Sequence, residues 1–273
     1  MNTTNQKHVY LSDDLMVTAR PWQWNQFWNY SSSEALQKLE LQTRGMVHPK
    51  LRLFLGGHGC GKSSAARICG MVASCELLER TPPSEWHTLP EIPCGNCDGC
   101  CQVHMGVGWW RSGYFEIDGT DRSDVEASIK DAFKIALQRR PYGSNAIPSV
   151  LAIHEAVDLA PTVMARLKTL IEMRPKVNVT LLLREPELKK LPAPLMDRCA
   201  GNIYKFEPPS IQESIAGLQA VAKIIGIKLN QVVASYICNR CNGDARKSLA
   251  ELYLTRSTWP TPTLQSVTKI LGR

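Results

Sequence analysis

Short, mostly apolar runs alternate along the chain with longer stretches whose apolar residues recur every three or four positions. The runs at 51–55 and 177–183 read as buried strands, and 114–117 and 149–153 as shorter ones. Helical spacing covers 34–44, 64–79, 125–137 and 162–172, with the serines at 31–33 placed to cap the first. Apolar strands separated by helices predict a mostly parallel sheet covered on both faces. Residues 1–20 are polar and expected to be loose. Residues 21–30 are rich in tryptophan and read as a docking surface or an edge of the core. Between 81 and 108 lie Pro, Gly and Cys with little periodicity. After Glu207-Pro208-Pro209 the pattern turns purely helical, over 210–225, 230–238 and 245–254. The expected organisation is an α/β domain over 1–207, with a cysteine module at about 75–104, and a small helical domain over 208–273.

Composition adds little to that frame. The chain has 273 residues, 44% apolar, enough for one or two domains. There is no N-terminal signal pattern and no apolar run long enough to span a bilayer, so a cytoplasmic, non-membrane protein is expected. Net charge is +7, which mildly favours polyanionic partners. The basic residues are scattered, with Lys130, Lys134, Arg139 and Arg140 in one region and Arg166, Lys168, Arg174 and Lys176 in another. Such groups suit either a solvated surface or a face that tracks phosphates.

Two motifs carry chemistry. The first is GGHGCGKS, in which Gly56, Gly61, Lys62 and Ser63 fit the full phosphate-loop pattern between a strand and a helix. Glycines, Gly59 among them, let consecutive backbone N–H groups turn toward phosphate oxygens, and the helix adds its positive end. Lys62 would reach the terminal phosphates of ATP or GTP, and Ser63 would ligate Mg2+. Phosphoryl transfer also needs a carboxylate near the metal. The strand at 149–153 ends in His154-Glu155, where an Asp-Glu pair is expected. Glu155 can polarise a water; His154 is a poor oxygen-ligand substitute for magnesium and reads equally as a structural polar residue. Asp158 is an alternative carboxylate.

The second is Cys94-Gly-Asn-Cys97-Asp-Gly-Cys100-Cys101. Repeated C-x2-C spacing presents thiolates tetrahedrally and points to structural Zn2+, with an iron–sulfur centre or plain thiols as other readings. Adjacent Cys100 and Cys101 point differently, so a distant fourth ligand is expected: Cys75 first, His87 in reserve, then Cys101 or His104. No general base lies nearby, so no chemistry is expected there. Cys238-x2-Cys241 lacks a partner pair and reads as non-metallic.

These motifs stand in an order that resembles the gamma/tau subunit family of the bacterial DNA polymerase III clamp loader, within the AAA+ ATPases. The matching segments are GGHGCGKSS, PCGNCDGC, FEIDGTDRSDVE, IHEAVDL, LKTLIEMRP, VTLLLREPELKKLPAPLMDRC and GDARKSL, within roughly 17–256. The resemblance implies an AAA+ P-loop NTPase core with an inserted zinc-binding module, followed by a small helical lid domain. It implies that Gly61, Lys62 and Ser63, with Gly56, Gly59 and Ser64 of the same loop, hold ATP and Mg2+. Cys75, Cys94, Cys97 and Cys100 would hold zinc. Glu155 would match the Walker B glutamate, Arg198 the arginine finger serving a neighbouring subunit's ATP, and Arg246 the sensor-2 arginine. Partners would be other clamp-loader subunits, the sliding clamp and primer-template DNA, in a hetero- or homo-oligomer. Two departures touch hydrolysis more than binding: His154 replaces the metal-side aspartate, and Arg184-Glu185-Pro186 falls where a sensor-1 threonine is expected. The alternative is a non-hydrolysing structural or regulatory subunit. A small-molecule kinase shares the loop but leaves the cysteines and Arg198 unexplained.

Overall fold

The structure, a computed structural model, describes residues 17, 19–45, 47–106, 113–121, 124–138, 147–173 and 177–272. Arg139, Arg140, Arg174, Lys176 and almost all of the polar segment 1–20 lie outside the described residues.

Five strands, β1 (Leu51–Gly56), β2 (Tyr114–Asp118), β3 (Ser149–His154), β4 (Val177–Leu183) and β5 (Ile203–Phe206), form one parallel sheet in the order β2-β3-β4-β1-β5. β4 stands at the centre of the sheet, and all seven of its residues, polar Asn178 and Thr180 included, are buried because both sheet faces are covered. Along β1, Leu51, Leu53 and Leu55 enter one core and Phe54 the other. Arg52 shares the face of Phe54 and is only 1% exposed, with Nε and Nη2 lacking hydrogen-bond partners among the described residues.

One face is covered by α1 (Glu34–Arg44) and α2 (Lys62–Ser74). Ser33 caps α1, its Oγ accepting the Leu36 N–H. The single helix expected over 64–79 is instead two, α2 and α3 (Glu76–Arg80), broken at Cys75. Cys75 adopts extended angles (φ −75°, ψ 114°). Its turn delivers the side chain to a thiol cluster that helical periodicity cannot register. Two further elements appear in the stretch expected to be irregular: a 3-10 turn, Pro83–Thr88, and α4 (Asp98–Met105). At eight residues α4 is too short for its apolar spacing to announce a helix.

The opposite face carries α5 (Val125–Gln138), α6 (Pro161–Met173) and α7 (Ala193–Cys199). Beyond β5 come α8 (Ile211–Ile224), α9 (Gln231–Arg240), α10 (Ala245–Leu254) and α11 (Leu264–Leu271), capped by Ser210, Asn230, Asp244 and Thr263. They form a small helical extension around their own apolar core, which includes Leu218, Ile237, Leu252 and Val267. Among the described residues no helix is long and apolar enough to cross a membrane.

Candidate functional site: a phosphate loop, a strand-end carboxylate and a thiol cluster

The loop between β1 and α2 sits at the C-terminal edge of the sheet, where open α/β sheets bind ligands. Gly56, Gly59 and Gly61 all have positive φ (154°, 73° and 96°), conformations that side chains resist and that let the loop's N–H groups face inward. A Cβ on Gly59 would lie 2.9 Å from Cγ of Asp244, the cap of α10, and one on Gly61 would lie 2.9 Å from Cε1 of Phe27. The loop is thus held between the N-terminal segment and the helical extension. Lys62 folds across it, Nζ donating to the carbonyls of Gly56 (2.7 Å) and Gly57 (2.6 Å).

The loop opens on a cavity of about 460 Å³, whose walls include Ser63, Ser64, His154, Glu155, Trp28 and Arg246. Its dimensions, the free N-terminus of α2 and the cationic groups fit a nucleoside triphosphate. Ser63, in the first turn of α2, lines the same cavity.

The strand-end residues are unusual. Glu155, just past β3, is a non-glycine residue at φ 43°, the kind of backbone outlier that clusters at functional sites. Its Oε2 lies 3.8 Å from Nε of Arg184, which also pairs with Glu187. The Glu187 hydrogen bond is the chief cause that raises the Arg184 pKa. His154 Nε2 lies 2.7 Å from Oε1 of Glu116, on the neighbouring strand. The other Glu116 oxygen accepts from Arg67 Nη2 (2.6 Å) and Nε (3.1 Å). Burial raises the Glu116 pKa, but the His154 hydrogen bond and the Arg67 charge outweigh it and leave the carboxyl below its ordinary range. Asp158 is exposed and does not line the cavity.

The two arginines part company. Arg246, in the first turn of α10, lines the cavity. Arg198, on α7, does not; it donates to the Pro194 carbonyl (2.6 Å) and pairs with Glu172 at the surface. Of the basic residues, Lys130 pairs with Glu126 (2.7 Å), as does Arg166, whereas Lys134 is exposed.

Cys75, Cys94, Cys97 and Cys100 bring their sulfurs within 4.8 Å of one another, with Cys94 and Cys100 4.0 Å apart. Tetrahedral thiolates around zinc sit about 3.8 Å apart, from a bond of ~2.3 Å, so the four fit such an ion. Cys97 Sγ also accepts backbone N–H groups from Glu76 (3.4 Å) and Cys100 (3.5 Å). Hydrogen bonds among the four thiols, with Cys100 the chief partner, pull the Cys94 and Cys97 pKa values down, while those of Cys75 and Cys100 are raised. The cluster is therefore able to chelate a metal ion. The reserve ligands are elsewhere engaged or outside it: His104 bonds the Val17 carbonyl (3.2 Å) and stacks on Trp22, and His87 and Cys101 are not members. Cys238 and Cys241 are buried free thiols outside the cluster.

Sequence reasoning missed three parts of this site. Phe27 and Trp28, read as a docking surface or core edge, help to wall the cavity. Glu116 and Arg67 come together with His154 only through strand register and the packing of α2, and Arg184 meets Glu155 across two strand ends. No local spacing marks these partners.

No protein-family model matches the chain. It is 24% identical over 227 residues to Protein STICHEL-like 3 of Arabidopsis thaliana, covering 81% of this chain and 19% of that protein. It is 26% identical over 203 residues to the DNA polymerase III subunit tau of Bacillus subtilis, covering 73% of this chain and 32% of that subunit. The chain thus spans under a third of the length of either relative. Among solved structures, the Thermotoga maritima RuvB Holliday junction branch migration motor superposes with a TM-score of 0.60 at 16% identity, over 93% of this chain and 72% of that one. Sequence likeness to replication subunits and the shared RuvB fold together make this chain a divergent AAA+ protein related to the machinery of DNA metabolism.

Proposed function

We propose that the chain is an ATP-binding subunit of a DNA sliding-clamp loader, coupling nucleotide binding to clamp opening and loading on primed DNA. The observation that carries this reading is the convergence of Lys62, Ser63, Glu155 and Arg246 on one cavity. Gly56, Gly59, Gly61 and Ser64 would help cradle the phosphates; Ser63 would hold Mg2+, which supplies charge neutralisation when bound. Arg246 arrives from residues 208–273, so those helices would act as a lid drawn onto the nucleotide. Arg198, outside the cavity and exposed, is suited to a neighbouring subunit's nucleotide; its charge persists and its fork matches phosphate oxygens. Zinc on the four cysteines would be structural, stapling α4 to the far end of α2. Other loader subunits, the clamp and primer-template DNA would be the partners, with Lys134 available to a DNA backbone.

ATP affinity with magnesium, and turnover with and without primed DNA, test the reading on one sample. Tight binding with DNA-stimulated turnover is expected of a motor; absence of binding refutes the proposal. A second reading, a subunit that binds ATP without hydrolysing it, is favoured by His154 and by the Arg184–Glu155 contact. Glu155→Gln separates the two, because it traps ATP only if this chain turns it over.

A further inference from the structure

The position beside the nucleotide where a metal-side carboxylate is expected holds an imidazole instead, and the tertiary structure supplies that imidazole with a carboxylate of its own. His154 ends β3 and lines the cavity, while its Nε2 faces Glu116 Oε1 at 2.7 Å. The register places Glu116 opposite Ala152, two residues before His154 and hence on the same face of the sheet. The charge of Glu116 is already matched by Arg67, at 2.6 Å, so the arrangement does not require an imidazolium. A neutral imidazole that donates from Nε2 keeps its lone pair on Nδ1. No hydrogen bond occupies His154 Nδ1 among the described residues. Carboxylate–histidine pairs of this form hold imidazoles as metal ligands, with the carboxylate setting tautomer and ring orientation.

Resting on the nucleotide-binding reading above, we propose that His154, oriented by Glu116, is a nitrogen ligand to the divalent cation that accompanies the nucleotide. The site then favours Mn2+ or Co2+ over Mg2+. Mg2+ is hard and prefers oxygen, whereas affinity for nitrogen-bearing sites rises from Mn2+ to Co2+ along the first transition row. Glu116 is the positioning residue and Arg67 its charge partner. The competing role for the same contacts is purely structural, a polar tie between β2 and β3.

The experiment uses the purified chain with β,γ-methylene ATP, which is not cleaved, in Mg2+, Mn2+ or Co2+. Nucleotide affinity is measured in each, and pulsed electron paramagnetic resonance is recorded on the Mn2+ complex. A ¹⁴N coupling of coordinated imidazole is expected, lost in His154→Asp, whose cation preference moves toward Mg2+. Glu116→Gln should weaken Mn2+ binding ~10-fold, the scale of a lost carboxylate behind a histidine ligand. Nucleotide bound with Mn2+ but without imidazole coupling, or a cation preference unchanged by His154→Asp, overturns the ligand role and leaves nucleotide binding intact. Failure to bind nucleotide with any of the three cations overturns both.

Discussion

Gly99→Ala is a one-atom test of how the cysteine module is seated. Gly99 is the second residue of α4, between Cys97 and Cys100. A Cβ built on it lies 2.9 Å from the carbonyl carbon of Ser74, and closer still to that carbonyl's oxygen. Carbon atoms in good contact stay about 3.5 Å apart, so α4 must retreat by at least about 0.6 Å. Metal–sulfur distances tolerate only ~0.2 Å. The obstacle is backbone at the end of α2 and cannot rotate aside. In an open helix the substitution would stabilise by about 1 kcal/mol, because alanine is the better helix former. Overpacking costs ~1–3 kcal/mol, and a backbone obstacle belongs at the upper end. The net expectation is a loss of about 2 kcal/mol, or a melting temperature lower by ~4–8 °C for a chain of this size. Bound zinc per chain, measured by mass spectrometry, should fall with it. A variant that melts at or above the wild-type temperature with a full complement of metal would refute the close seating of α4 on α2.

Three further outcomes are expected. Burial lowers the His104 pKa from 6.5 to about 4, so the unfolded chain takes up a proton first as pH falls. Its contribution to stability is complete above about pH 6.5 and is lost between there and about pH 4; melting temperature against pH should show that slope, reduced in His104→Phe. Arg198→Ala should leave ATP affinity of the isolated chain unchanged but lower turnover about 10³-fold in a reconstituted assembly, and equal turnover there removes the finger role. Arg52→Met should hold or raise stability by ~1 kcal/mol in denaturant melts, since a buried guanidinium with unpartnered nitrogens is costly. A loss above ~3 kcal/mol would mean that the charge is well satisfied.

The glycine-rich loop between β1 and α2, the buried strand β4 and the four clustered cysteines were legible in the sequence, chiefly for local reasons. Glycines that admit positive φ, a mostly apolar run and C-x2-C spacing are properties of a few consecutive residues, and the backbone conformation they permit is written into their chemistry. The choice of Cys75 over His87, Cys101 and His104 agrees with the cluster, yet the break that makes it a corner was hidden, because a helical apolar pattern runs straight through it. The short helix α4 was hidden for want of length.

What the sequence alone determined about this protein is therefore the strand–loop–helix grammar of a parallel α/β core and the residue types able to meet phosphate and metal. Only the tertiary structure decided which side chains share a site. Glu116 reaches His154 across 38 residues of chain because β2 and β3 pair in one register, and a shift by one residue would turn that carboxylate to the other face of the sheet. Arg246 reaches the cavity because Asp244 caps α10 against Gly59, a contact between segments 185 positions apart in numbering. Such meetings depend on register and packing across the whole fold, and no short window of sequence contains them.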